Sequence, residues 1–273
     1  MAINIGSSSI NSIYLGDTAV KSVYLGDNLV YSNEPAIIDD SYNYFVFDTT
    51  RSGSPTITTI VLQDSRGGDT TEWDGITDWG DGTADDKFTH TYAVHGEYTV
   101  KTRYTINTYS GGGDRNTRKC LVGCIGVNKN MTDYSFLFSG CTGLKTLDVS
   151  NWDTSKVTNM KYMFNGCDLT SLDLSSFDTS NVIRMNYMFA TCSNITSLNL
   201  SFNTNSLKDI SYMFYNCGKL ALLDISNWNT QNVSNLKLMF NNCRSLTVDN
   251  IIMTNCNAAT KKKIQDARKS ANV

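Results

Sequence analysis

Charge is scarce in this chain. Only 18% of the 273 residues are charged and the net charge is −3, so no basic stripe is on offer to a nucleic acid. No apolar run approaches the length a membrane-spanning helix needs, which argues against membrane insertion. The opening Met1-Ala-Ile-Asn-Ile-Gly has neither a basic stretch nor an apolar stretch, so no export leader is expected. Proline is down to two residues, while Ser, Thr and Asn abound, as on a β-rich secreted surface.

What the chain does have is a repeat. Met163-Phe164-Asn165-Gly166-Cys167 returns as Met188-Phe189-Ala190-Thr191-Cys192, as Met213-Phe214-Tyr215-Asn216-Cys217 and as Met239-Phe240-Asn241-Asn242-Cys243. Leu137-Phe138-Ser139-Gly140-Cys141 precedes them. A period in the twenties marks a stack of similar units. After each Cys, every second residue is apolar: Leu144, Leu147, Val149, then Leu169, Leu172, Leu174, and so on. That alternation predicts a short strand with one buried face. The second half of each unit places Val157, Met160, Met163 and Phe164 at i, i+3, i+6 and i+7, which predicts a helical stripe with Thr154-Ser155 as its N-cap. One unit buries too little to offset the entropy of ordering it, so the units must shield one another.

A 24-residue stretch carries the resemblance: Cys141-Thr-Gly-Leu-Lys-Thr-Leu-Asp-Val-Ser-Asn-Trp-Asp-Thr-Ser-Lys-Val-Thr-Asn-Met-Lys-Tyr-Met-Phe164. It resembles the BspA-like leucine-rich repeats, mainly bacterial and phage surface proteins with binding roles. The resemblance implies no catalytic residues, and no metal or cofactor is expected. Five of the eight cysteines recur at one repeat position, and parallel Cβ vectors there are poor disulfide geometry, so buried free thiols are expected. Cys120 and Cys124 leave a zinc pair as the other reading. Yet Leu121-Val122-Gly123-Cys124 lies 26 residues before Leu147-Asp148-Val149-Ser150, which predicts the first strand of the stack.

Upstream, Asp78-Trp79-Gly80-Asp81-Gly82-Thr83, then His90-Thr91-Tyr92 and Gly96-Glu97-Tyr98-Thr99-Val100, resemble the signature of a PKD-type β-sandwich. That resemblance implies a structural His90. Asp78, Asp81, Asp85 and Asp86 could instead cluster around Ca²⁺, against the plainer reading of turn caps. Earlier still, Ser12-Ile13-Tyr14-Leu15-Gly16-Asp17 recurs as Ser22-Val23-Tyr24-Leu25-Gly26-Asp27, which predicts hairpins. The pattern resembles N-terminal segments of phage tail and fibre proteins, and an ordinary small β-meander is the alternative.

The expected fold is mainly β with short helices, in four parts. Residues 1–33 form a small N-terminal β-meander that anchors the chain. Residues 36–118 form a PKD-like β-sandwich, and residues 119–256 a leucine-rich repeat solenoid of α/β units. Residues 257–273 form a polar helix that caps the stack, or touches a phosphate-rich surface. The outward strand positions Asp148, Asp173, Asn199 and Asp224 make a column that reads as a solvated ladder or as a face for glycan or protein. No catalytic residue is expected, since no paired carboxylates sit in a recognisable cleft. The function expected is a phage virion surface protein (fibre, tail or capsid decoration), made in the host cytoplasm and contacting the host surface. It would bind other virion proteins through its N-terminal segment and form a homo-oligomer. A bacterial cell-surface adhesin without its leader is the alternative.

Overall fold

A computed structural model describes residues 14–15, 18–19, 22–25, 28–32, 43–52, 58–61, 76–87, 89–102, 115–127 and 129–271. The Ser110-Gly111-Gly112-Gly113-Asp114 segment, read above as a loop, lies outside them. The chain divides into two compact units, Met1–Asp39 and Asp40–Val273.

In the first unit the tandem motif forms two antiparallel ladders. Strand β1 (Tyr14–Leu15) pairs with β2 (Thr18–Ala19), and β3 (Ser22–Leu25) with β4 (Asn28–Ser32).

The second unit begins with two ladders. Strands β5 (Asn43–Asp48), β7 (Thr77–Asp78), β8 (Ala84–Asp85), β10 (Glu97–Thr102) and β11 (Leu121–Gly126) make one sheet in the order β11-β5-β10-β7-β8. Strand β6 (Thr58–Val61) pairs separately with β9 (Thr89–Tyr92). Phe45, Phe47, Trp79, Tyr92 and Val100 are fully buried here. Gly80 sits at φ 78°, and a Cβ there would lie 2.5 Å from the Thr99 carbonyl oxygen, so no other residue fits the turn. The segment expected to open the stack is instead an edge strand: β11 runs antiparallel beside β5. A short helix α1 (Arg115–Cys120) leads into it.

The repeats pile coil on coil, and their core residues are those expected: Val157, Met160, Met163 and Phe164, with their counterparts, are buried, save Met131 and Leu236 in the end coils, which are partly buried. Strand pairing is sparse. Among the described residues only β12 (Ser197–Asn199), β13 (Leu222–Asp224) and β14 (Ile251–Ile252) form a parallel sheet, extended by single bridges such as Asp173 with Asn199. The helical half of each unit is not helical. Amides alternate in their use: Met160, Tyr162, Phe164 and Gly166 donate to Arg184, Asn186, Met188 and Ala190 of the next coil, at 2.8–3.1 Å. Between them Met163, Asn165 and Cys167 close tight turns on the carbonyls three residues back. An α-helix would use all these amides on carbonyls four residues back, and bonding to the next coil forbids that. Two positive-φ residues per coil, four positions apart, produce the alternation: Phe136/Gly140, Tyr162/Gly166, Tyr187/Thr191, Tyr212/Asn216 and Leu238/Asn242. Nor do the hydroxyls cap helices. Buried Thr154, Thr179 and Thr204 donate to the carbonyls of Asp178, Asn203 and Asn229, one coil on.

Stacking supports this strained backbone. Phe138, Phe164, Phe189, Phe214 and Phe240 form a buried ladder with ring centroids 5.7–5.9 Å apart. Tyr162, Tyr187 and Tyr212 form a second, half-buried ladder at 4.3 and 4.4 Å. Such pairs contribute about 0.5–1.5 kcal/mol each, similar to the left-handed cost of roughly 1–2 kcal/mol per residue. Thr191 has a β-branched side chain at φ 59°, where its counterparts are Gly or Asn. Thr191→Asn should therefore raise stability by about 1 kcal/mol, or roughly 2–4 °C in Tm by calorimetry.

The cysteines fill a third ladder. The Sγ of Cys167, Cys192, Cys217 and Cys243 donates to the carbonyl of Phe138, Phe164, Phe189 and Phe214, one coil back, at 2.9–3.0 Å. All eight cysteines are buried free thiols.

Helix α2 (Ala258–Ser270) covers the far end, capped by the Asn257 side chain accepting from the Thr260 amide at 2.7 Å. Ile264 is fully buried, and Arg268, itself buried, donates to the Leu246 carbonyl at 2.8 Å and the Cys243 carbonyl at 3.2 Å. Lys263 reaches the carbonyls of Thr230 and Val233. Main-chain acceptors that lack a following coil are thus satisfied by side chains. Arg268→Ala should leave them dry and unpaired, at a cost on the order of 3 kcal/mol in urea titration. One connected apolar core runs from Phe45 through the coils to Ile264.

Candidate functional site

The column expected to face a ligand is where the repeat puts it. Asn199 pairs with Asp224 across β12 and β13 and bridges to Asp173 on its other side. Asp148 holds the same repeat position one coil earlier. Asp148, Asp173 and Asn199 are exposed and Asp224 is half-buried. The neutral Asn199 separates two carboxylates, which lowers the repulsion along the column.

Each side chain is tied to its own turn. The amides of Ser150, Ser175 and Ser226 donate at 2.9 Å to Oδ1 of Asp148, Asp173 and Asp224. Ser201 Oγ donates to Asn199 Oδ1 at 3.0 Å. Main-chain donation from Ser150 and Ser175 holds the Asp148 and Asp173 carboxyls below the usual range, so both are charged at neutral pH. The result is a fixed row of carboxylate and amide oxygens. It can accept hydrogen bonds from a ligand. The aromatics three residues beyond the strands, Trp152, Phe177, Phe202 and Trp228, are buried core.

The acidic loop is similarly committed to its own turn. Asp78 Oδ1 accepts from the Gly80 amide at 2.9 Å, and Asp81 Oδ1 from the Thr83 amide at 3.0 Å. Asp81 Oδ2 lies 2.7 Å from His90 Nε2, and Asp85 Oδ1 takes the Trp79 indole N–H at 2.9 Å. Asp86 is exposed beside them. His90 stacks on Trp79 at 5.0 Å and meets the edge of Tyr92 at 4.6 Å. Among the described residues no cluster of three or more His, Cys, Asp or Glu is placed to hold a metal.

A second surface escaped the sequence reading. Two positions, one on each side in sequence, flank the buried Val157, Val182, Leu207 and Val233. One carries Lys156, Asn181, Ser206 and Asn232; the next carries Thr158, Ile183 and Lys208. Together they line a shallow trough of about 630 Å³ that crosses four coils. Its floor is a main-chain ladder: the amides of Ile183 and Lys208 donate to the carbonyls of Thr158 and Ile183, one coil back. Asn181 Nδ2 donates to the Ser155 carbonyl at 2.8 Å and Asn232 Nδ2 to the Asn205 carbonyl at 2.7 Å. Polar residues flanking an apolar one look like any solvated face, which is why their alignment was not legible.

A cleft of about 410 Å³ also separates β11 from the first coil, beside Ile125, Leu147 and Trp152. Trp152 Nε1 is buried there without an acceptor among the described residues, whereas Trp228 Nε1 donates to the Leu200 carbonyl at 3.0 Å. The difference follows from β11: it has joined β5, so no preceding coil offers the equivalent carbonyl.

Residues 132–254 match the family described as "Mycoplasma protein of unknown function, DUF285". The match covers the stacked coils, somewhat under half of the chain, and agrees with the resemblance to BspA-like surface repeats. No curated protein and no solved structure matches the chain.

Proposed function

We propose that this protein is a non-enzymatic surface adhesin of the BspA-like type, displayed on a bacterial cell and binding a protein or glycan through the side of its stack. The supporting observation is the coincidence of the surface-repeat match with the coils at 132–254. In this reading the coils form a leucine-rich repeat solenoid closed by α2, and the sheets built around Trp79 and Tyr92 form a PKD-like sandwich. The column at Asp148, Asp173, Asn199 and Asp224 is one ligand-facing surface. No metal, cofactor, nucleic acid or membrane insertion enters the reading. The test is labelling of intact producing cells with an antibody to this chain. Surface fluorescence is expected, and signal only after lysis contradicts the reading.

The second reading, a phage virion protein, has one observation of its own: the strands Tyr14–Leu15 and Ser22–Leu25 of the tandem motif each join an antiparallel pair in a separate compact unit. In that case the N-terminal unit docks on other virion proteins or on further copies of itself. Mass spectrometry of purified virions would find this chain, and its absence from them removes this reading.

A further inference from the structure

The trough between the Lys156 and Lys208 coils has the chemistry of a saccharide site. Lys156 and Lys208 are exposed and stand two coils apart, and neither is in a salt bridge among the described residues; the Lys156 ammonium donates one hydrogen bond, to the neutral Asn130 Oδ1 at 3.0 Å, which leaves its charge uncompensated. Coils bonded as strands advance about 4.8 Å each, so the two charges are roughly 10 Å apart along the stack. That is comparable to the span of a disaccharide. Between them the carboxamides of Asn181 and Asn232 have their N–H groups engaged on main-chain carbonyls. Each Oδ1 is therefore the free end, a fixed acceptor for a hydroxyl. Ser206 Oγ is likewise anchored, donating to the Ser180 carbonyl at 2.6 Å. Ile183, 38% exposed, offers an apolar step for the C–H face of a sugar ring.

We propose that this trough binds an acidic glycan carrying one carboxylate per disaccharide. The two ammoniums take successive carboxylates, the asparagine oxygens accept ring hydroxyls, and Ile183 supports the ring. A dense polyanion is a poorer fit, because only two cations serve four coils. An acidic peptide could also donate main-chain N–H groups to the asparagine oxygens, but it has no ring to lay its C–H face on Ile183. The inference rests on the surface-binding reading and specifies the ligand class for a different face from the carboxylate column.

The experiment is titration calorimetry of the full chain with a hyaluronan decasaccharide, a neutral chitin oligosaccharide and polyaspartate. Binding is expected for hyaluronan alone, weakening as salt is raised. Lys156→Gln with Lys208→Gln should weaken it at least tenfold, with an unchanged melting curve because both side chains are exposed. Asn181→Asp, which sets a carboxylate beside the incoming one, should do the same. Absence of hyaluronan binding, equal affinity in the lysine variant, or tighter binding of polyaspartate overturns the proposal. Those results leave the adhesin reading standing, since that reading falls only if the chain is missing from the cell surface.

Discussion

Met188→Asp should abolish cooperative folding of the coils. Met188 is fully buried at the middle of the stack, between coils that also bury Met163 and Met213 at the same position. A carboxylate there has no partner within an apolar ladder, and leaving a charge dry costs several kcal/mol even after the chain relaxes. Losses above about 4–5 kcal/mol are large against a total stability of roughly 5–15 kcal/mol. The damage also spreads. Phe164 donates its amide to the Met188 carbonyl, and Phe189 donates to that of Met213, so a displaced coil loses bonds on both sides. Met188→Leu should cost under about 1.5 kcal/mol, because volume is kept. Urea denaturation of both variants checks the pair. Near-equal stability of the two would mean that this side chain does not face a dry core.

Alkali should melt the stack through its thiols. Burial pushes Cys243 up to about 11 and Cys141 and Cys192 up to about 12, from an ordinary 9.0. Burial also raises Cys167 and Cys217 well above that value. A thiol whose folded pKa is raised is protonated in the coil and ionised in the unfolded chain over that interval. Its contribution is complete below pH 9 and is lost as pH climbs through the folded value. Each thiol then costs about 1.4 kcal/mol per pH unit, and five together roughly 7 kcal/mol per unit, comparable to the whole stability. Unfolding followed by circular dichroism and thiolate absorbance should coincide, between about pH 9.5 and 11. Burial raises Tyr134 and Tyr187 in the same sense, so Cys192→Ala separates the contributions by removing one thiol's share of the slope. Thiolate appearing near pH 9 with the fold intact would show the cysteines to be exposed.

Much of the stack was legible because burial leaves a periodic trace. The residues assigned to the core from spacing alone, such as Val182, Met185, Met188 and Phe189, are the ones inside. The backbone that carries them was not legible. A chain that turns twice through positive φ can place i, i+3, i+6 and i+7 on one side as a helix does. The sign against a helix lay in the residue just before each cysteine of the stack: Gly140, Gly166, Thr191, Asn216 and Asn242, poor helix formers at a fixed place. Likewise Cys reads as a small apolar residue, and only the coordinates show that its Sγ answers a carbonyl of the previous coil. The β11 misassignment has a related cause. Residues 121–124 match the repeat spacing, but local pattern does not specify a partner strand, and β5 supplies one. The carboxylate column could be named because it alternates with buried leucines. The trough depends on side chains of four coils coming into line.

The central claim is that the coils are held by one another, main chain to main chain, and open as one. Native-state hydrogen exchange under rising denaturant tests this directly at the amides of Phe138, Phe164, Phe189 and Phe214, each of which donates to the following coil at 2.9–3.0 Å. Their opening free energies should converge on a single value, equal to that of global unfolding. Four separate values, with each repeat opening at its own denaturant concentration, would contradict it.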